Sequence, residues 1–471
     1  MQRGYSGRRI ASFSSCRCVA HLAYSMSDVA DSVSAASAPP APAGRTATVV
    51  PTVPFLDERL PNGLRYVLSR DDLAPVVAVN VWYGVGSKHE QPGKTGFAHL
   101  FEHLMFQGSR HVAKTEHQGL VQGAGGTNNG TTWLDRTNYF ETLPSHQLEL
   151  AIWLEADRMA TLLDALSQEN LDNQREVVKN ERRLRYDNQP YGVAWEKLQA
   201  AVFPPGHGYH HSPIGSMADL DAASLEDVRE FFHTYYAPND AVISVVGDFE
   251  PDQARAWIVK YFGPLSANPA LPPLRDMSLP PLLGTESRGI IRDDVPLPRL
   301  YLGLRAPVWG DPSFEALEVG GQVLAGGKAS RTYHRLVREE RIAQDVSANA
   351  IPLVSGASMF VLVATASPGV DIERVEAACW DEMERIAREP VTEDELERAK
   401  ALLETAELAA LQHVEERADR LAMYATLFDD PGRINEQLPR YLAVDAAAVQ
   451  AACAAVFRPN NRAFIIYEPK S

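Results

Sequence analysis

Residues 95–109 read TGFAHLFEHLMFQGS. The apolar positions fall at helical spacing, yet the run carries two histidines and a glutamate where a buried helix needs none. Helical geometry puts residues four apart on one face, so His99 and His103 can converge on a single metal ion with Glu102 beside them. Phe97, Leu100, Phe101, Leu104 and Met105 supply the packing that would hold the helix rigid, and Gly108 is expected to end it. Two imidazoles leave zinc needing one more protein ligand and an open position for water, which the metal acidifies and a free glutamate can deprotonate. His99 and His103 are therefore read as metal ligands and Glu102 as general base. The third ligand is expected on a helix packed nearby, and the stretch 171–192, LDNQREVVKNERRLRYDNQPYG, offers both Glu176 and Glu181.

The rest of the composition narrows the class. With 45% apolar, 23% charged and 8% aromatic residues, the 471-residue chain has the make-up of a globular protein of two or three domains. No run approaches the roughly 18 apolar residues of a membrane span. Acidic residues outnumber basic ones 61 to 45, for a formal charge of -16, so phosphate attraction has no source and nucleic acid is set aside. Four cysteines, at 16, 18, 379 and 453, are too few and too scattered for a disulfide framework or a thiolate metal site.

Residues 1–50 are rich in Ala, Ser and Pro and are expected to form a disordered tail. Their one apolar run after Arg8-Arg9 is broken by Ser, Cys and Arg, which argues against an export signal and favours a cytoplasmic over a periplasmic location. Order begins near residue 55. Strands are expected at LRYVLSRDD (64–72) and VVAVNVWYGVGS (76–87), before the histidine helix. A Gly/Asn-rich turn (GAGGTNNGTT, 123–132), a strand over 133–142 and helices over 146–164 and 168–186 follow it; AVISVVGDF (241–249) closes the unit. A proline-rich stretch, 266–299, reads as linker. The second half then restarts with RLYLGLRAP (299–307), a small-residue turn (LAGGKASR, 324–331), SMFVLVATA (358–366) and helical stretches 371–388 and 392–427. Both halves end on an aromatic, a Pro-Asn element and a strand. The chain is thus read as two copies of one α+β domain, 51–265 and 300–471, of which only the first has His-x-x-Glu-His. The loop PPGHGYHHSPIG brings His207, His210 and His211 together, but in a Pro/Gly loop this reads as surface and not as a second metal site. Glu155, Asp157 and Arg158, in WLEADRM, read as structural pairs on a packing helix.

With the inverted zinc motif, the downstream glutamates and the repeat in view, the sequence resembles the pitrilysin family of inverted zincins, which includes insulysin and the mitochondrial processing peptidases. The resemblance spans about residues 55–470. It implies two homologous domains, each a mostly antiparallel sheet flanked by helices, forming half of a clamshell chamber. It implies one zinc per chain, held by His99, His103 and Glu181, with Glu102 as general base; Glu181 lies 78 positions after His103, the separation the family uses. A supporting glutamate usual seven residues before that ligand is replaced by Gln174, which points to Glu176 for the supporting part. The segment GGTNNGTTWLDRTNYFETLP (125–144) resembles the edge to which an extended peptide adds as a strand, with Asn129 in the substrate-binding position.

The same resemblance implies a zinc endopeptidase acting on unfolded peptides or short polypeptides. Active members complete the site with an Arg and a Tyr from a repeat across the chamber. Here the corresponding run, LVREERIAQDVSA (336–348), keeps Arg338 but puts Gln344 or Asp345 at the tyrosine position, and no tyrosine occurs between Tyr333 and Tyr424. The expected partner is a related subunit that lacks His-x-x-Glu-His and brings the Arg-Tyr pair, forming a heterodimer. The alternatives are a non-catalytic scaffold subunit of the same family, or a peptide-binding chaperone using the same chamber.

Overall fold

The computed structural model describes residues 50–273 and 275–470. The tail expected to be disordered, with Cys16 and Cys18, lies outside the described residues except for position 50. Two sheets form. The first contains β1 (Leu56–Arg59), β2 (Arg65–Arg70), β3 (Val76–Tyr83), β4 (Thr127–Thr132), β5 (Thr137–Pro144) and β6 (Ala241–Gly247), in the order β1-β2-β6-β3-β5-β4. The second contains β7 (Ser287–Asp293), β8 (Arg299–Ala306), β9 (Ala343–Ile351), β10 (Ser358–Ala366) and β11 (Ala463–Pro469), in the order β7-β11-β8-β10-β9. Neighbours are antiparallel except β2 with β6 and β7 with β11. The second sheet therefore repeats β2-β6-β3-β5-β4 strand for strand, including its one parallel pair.

Fourteen helices of the described residues surround these sheets. Those of the first half are α1 (Phe97–Leu104), α2 (Glu116–Gly123), α3 (Leu148–Ala165), α4 (Gln168–Arg182), α5 (Ala194–Val202), α6 (Met217–Ala222), α7 (Leu225–Tyr235) and α8 (Pro251–Phe262). Those of the second are α9 (Pro312–Ala325), α10 (Ile372–Arg388), α11 (Glu393–Leu411), α12 (Val414–Phe428), α13 (Gln437–Ala443) and α14 (Ala446–Val456). Among the described residues no helix is long and apolar enough to cross a membrane.

Several elements differ from the sequence expectation. The 123–132 stretch read as a turn contains β4, because pairing with β5 overrides the weak strand preference of Gly and Asn. The proline-rich 266–299 stretch is not linker throughout: Ser287–Asp293 is β7, an outer strand whose side chains alternate between half-buried and exposed. The 392–427 helix is two helices, broken at Gln412 and His413. The histidine helix ends at Leu104, short of Gly108.

Strand alternation divides each sheet between two cores. In β3, Val77, Val79, Val81 and Tyr83 face the core shared with α1, α3, α7 and α8, while Ala78 and Trp82 face the opposite side. That opposite side is covered by α12, from the second half, through Ala418, Leu421, Ala422, Tyr424 and Ala425. The second sheet is treated reciprocally. Leu300, Leu302 and Leu304 of β8 face the helices of their own half, while the other face, with Met359, Val361, Ile465 and Tyr467, packs on Ala194, Leu198 and Val202 of α5. Gly303 makes this possible, since a Cβ there would fall 2.9–3.0 Å from Val202 and Leu198 side-chain atoms.

Each crossing carries a polar anchor. Asp419 Oδ1 on α12 accepts from Asn80 Nδ2 (3.0 Å), Trp82 Nε1 (2.9 Å) and Asn138 Nδ2 (3.0 Å) of the first sheet. Arg305 Nε on β8 donates to the carbonyl of Val202, the last residue of α5 (3.1 Å), a cation at the helix end where the macrodipole favours one. Asn80, Trp82 and Asn138 are at most 2% exposed, so removing their common acceptor leaves buried donors unpaired. Asp419→Ala is expected to lower the unfolding free energy by about 3 kcal/mol, measured by urea denaturation, with α12 losing hydrogen-exchange protection first.

Candidate metal centre

Helix α1 is eight residues long and buries Phe97, Ala98, Leu100, Phe101 and Leu104 in the first core. That packing turns the other face, with His99, Glu102 and His103, toward α4 and β4. Helix α4 begins at a Ser167 cap, whose Oγ accepts from Asn170 N, and is fixed by Leu171 and Val178, both 0% exposed. Val178 sits one turn before Glu181, at the end of the helix, where the backbone loosens into a π turn over Arg183–Asp187. Wider turns of this kind recur at functional sites.

The structure brings His99, His103 and Glu181 together. His103 Nε2 lies 3.3 Å and His99 Nε2 3.8 Å from Glu181 Oε2, and one donor atom from each residue falls within 4.8 Å of the others. These separations are close to the roughly 3.3 Å that bonds of about 2.0–2.1 Å at tetrahedral angles would set between zinc ligands. The protonation states suit a metal as well. Burial, helped by the neighbouring His103, lowers the His99 pKa and favours the neutral imidazole. Burial opposes ionisation of Glu181, but the contact with His103 and the charges of His99, His103 and Arg185 outweigh it and hold the carboxyl at about 2. Arg185 Nη1 grips Glu181 Oε1 at 2.9 Å, turning Oε2 toward the histidines.

Glu102 is 2% exposed, and Thr132 Oγ1 of β4 donates to its Oε2 at 2.6 Å. Two residues earlier on β4 is Gly130, where a Cβ would stand 3.0 Å from the Tyr139 ring and 3.2 Å from both Glu102 Cγ and Phe106. A bare backbone at that point is what lets the strand run against the acidic side chain. Strand β4 is one of the two outer strands of its sheet, and Asn129 sits on it opposite Phe140.

Other sequence expectations fall differently. Glu176 does not support the site: it is an exposed residue paired to Lys179 Nζ at 2.9 Å. Gln174 is 7% exposed, on the inward side of α4. The three loop histidines do not share a ligand position. His207 stacks on Phe203 and contacts Met277 O, His210 Nδ1 contacts Phe203 O, and His211 Nε2 meets Glu90 Oε2 at 2.7 Å. Glu155 and Arg158 do pair, fully buried, and Asp157 takes Ser109 Oγ and His111 Nδ1. His117, Glu141 and Glu155 make a second buried histidine–carboxylate group, in which burial raises both carboxyls to about 7 and lowers His117 to about 3. There the Arg158 guanidinium already fills the cation's place on Glu155. Gln344 and Asp345 open the outer strand β9 with exposed side chains. Sequence reading missed Thr132, Gly130 and Arg185, although the first two lie inside the quoted edge segment and the third four residues from Glu181, a helical neighbour.

The profile described as Insulinase (Peptidase family M16) matches residues 65–207, and that described as Peptidase M16 inactive domain matches residues 222–403. The chain is 30% identical over 343 residues to the zinc protease PqqE of Helicobacter pylori, covering 72% of this chain and 76% of that protein. A crystal structure of a protease from Helicobacter pylori superposes with a TM-score of 0.82 at 26% identity, covering 88% of this chain and all of the other. The periplasmic protease PqqL of Escherichia coli superposes with a TM-score of 0.70 at 18% identity, covering 88% of this chain and 47% of that one.

Two glutamates on one helix give a direct test. Glu181→Ala is expected to abolish retention of zinc through gel filtration, read by elemental analysis, while Glu176→Ala retains it at the wild-type level. Equal zinc content in the two variants would count against Glu181 as the third ligand.

Proposed function

Because the chain belongs to peptidase family M16, the insulinase family, as a half-length member, we propose that it is a zinc-dependent endopeptidase subunit hydrolysing unfolded peptides or short polypeptides. The convergence of His99 Nε2, His103 Nε2 and Glu181 Oε2, one turn from a carboxylate restrained against an outer strand, carries this reading. Two imidazoles and a carboxylate are the donor set of a catalytic zinc site, with a position left for water.

Zinc, when bound, supplies a water of lowered pKa and polarises the scissile carbonyl. The chain's own residues do the rest. β4, as an outer strand of its sheet, can take an extended peptide as an added strand through main-chain hydrogen bonds, with Asn129 beside the scissile segment. Glu102 accepts the water proton and delivers it to the leaving amine. Thr132 holds that carboxylate in one orientation, so the base is in place before substrate arrives.

The second half has Gln344 and Asp345, and no tyrosine, where the family run after Arg338 would place a substrate-clamping Tyr, and the chain corresponds in length to about half of PqqL. Both facts support a partner, a related subunit without the metal motif that closes the chamber and supplies an Arg-Tyr pair to orient the substrate and stabilise the tetrahedral oxyanion.

Glu102→Gln is expected to keep zinc and lose turnover of an unstructured fluorogenic peptide by roughly 10²–10⁴-fold. Retained cleavage would remove Glu102 from the mechanism. Wild-type protein is expected to cleave weakly alone and strongly after mixing with the related subunit. Wild-type protein that holds no zinc and cleaves nothing in either state would instead favour a scaffold role.

A further inference from the structure

We propose that Glu90 and His211 form a clamp that positions the metal-binding helix, and that they are positioning residues for the reaction; the proposal rests on the reading of the metal centre above. Helix α1 starts without a side-chain cap, because its N-cap residue is Gly96. An eight-residue helix with its first N–H groups unpaired is a weak platform for two metal ligands. Glu90, upstream in the loop after β3, makes good the deficit. Its carboxylate is fully buried and accepts Gly96 N at Oε2 (2.9 Å) and Ala98 N at Oε1 (2.8 Å). Ala98 is the residue before His99, so the clamp fixes the backbone from which the first ligand projects. The negative carboxylate also sits at the positive end of the helix.

Glu90 is held in turn. His211 Nε2 closes on its Oε2 at 2.7 Å. The carbonyl of His211 and that of Tyr209 both accept from Gln199 Nε2 of α5, at 2.8 Å each. Arg275 Nη2, in the proline-rich stretch, donates to the carbonyls of His89 and Glu90 at 3.2 and 3.0 Å. One residue before the N-cap, Thr95 N and Oγ1 both donate to Asp219 Oδ2 of α6, at 2.9 and 2.6 Å. The start of α1 is thus tied to α5, α6 and the segment joining the two sheets. None of these residues reaches the metal ligands directly, so the effect is on where the ligands stand.

The test uses Glu90→Gln, His211→Ala and His211→Gln in the full chain. His211 is the milder site, its side chain 21% exposed, and glutamine there can still donate to Glu90. Amide hydrogen exchange across Phe97–Leu104 in the metal-free protein is expected to rise in Glu90→Gln and His211→Ala and to return toward wild type in His211→Gln. Zinc affinity, by chelator competition, is expected to fall roughly 10–100-fold in the first two. With the partner subunit present, kcat should fall roughly 100-fold while KM stays within about threefold, the signature of misplaced groups. Exchange unchanged over α1, or zinc affinity at the wild-type level despite a lower melting temperature, would overturn the proposal. A wild-type protein that holds no zinc, together with faster exchange in the variants, would uphold the clamp and defeat the metal reading instead.

Discussion

Each sheet in this protein has two apolar faces, and its own half of the chain covers only one. The other face is closed by a helix from the opposite half: α12 lies on the first sheet and α5 on the second. A sheet face of this size cannot be left to water, so the exchange of helices holds the two halves together more firmly than a linker does. It also explains strand composition. β3 and β6 are buried almost from end to end because both of their faces are inside. Only a few polar groups interrupt them, and Asn80 and Ser244, like Asn138 on the neighbouring β5, each find a partner on α12.

The site inherits this rigidity. Its ligands come from two helices and its base is held by a third element, a strand, so three pieces of the first half must agree in position. Apolar side chains fix each piece: Leu100 and Leu104 for α1, Leu171 and Val178 for α4, Tyr139 and Leu143 for the sheet behind β4. Hydrogen bonds then set the final orientations, Thr132 on Glu102 and Arg185 on Glu181. The path from Gln199 through His211 and Glu90 to the N–H of Ala98 adds a mechanical link, because Gln199 belongs to the helix packed on the second sheet.

What the sequence could convey follows from how local each signal is. His99, Glu102 and His103 stand out because their spacing is a property of one helix, and the apolar runs of β3, β6, β8 and β10 stand out because burial on both faces leaves few polar interruptions. Glu176 and Glu181 lie on one helix about 140° apart in rotation, so only one can face α1. Nothing in the stretch itself says which; the packing of Val178 decides it. β4 was hidden by Gly and Asn, which favour turns until a partner strand pairs with them, and β7 by the prolines around it. The exchange of α5 and α12 was not legible at all, since an amphipathic pattern announces an apolar face without naming the surface it covers. His211 drew notice only as one of three loop histidines, when its partner, Glu90, lies on the other side of the metal motif in sequence.

The late position of α12 has a consequence for synthesis. β6 is complete at Gly247, while the helix that covers its outer face begins at Val414. At translation rates of about 5–20 residues per second, roughly 10–30 s separate the two. Through that interval the nascent first sheet presents Val67, Ala78, Trp82, Val242 and Val246 to solvent, an apolar surface of the kind that chaperones hold. That face stays uncovered until α12 has followed β6 out of the ribosome.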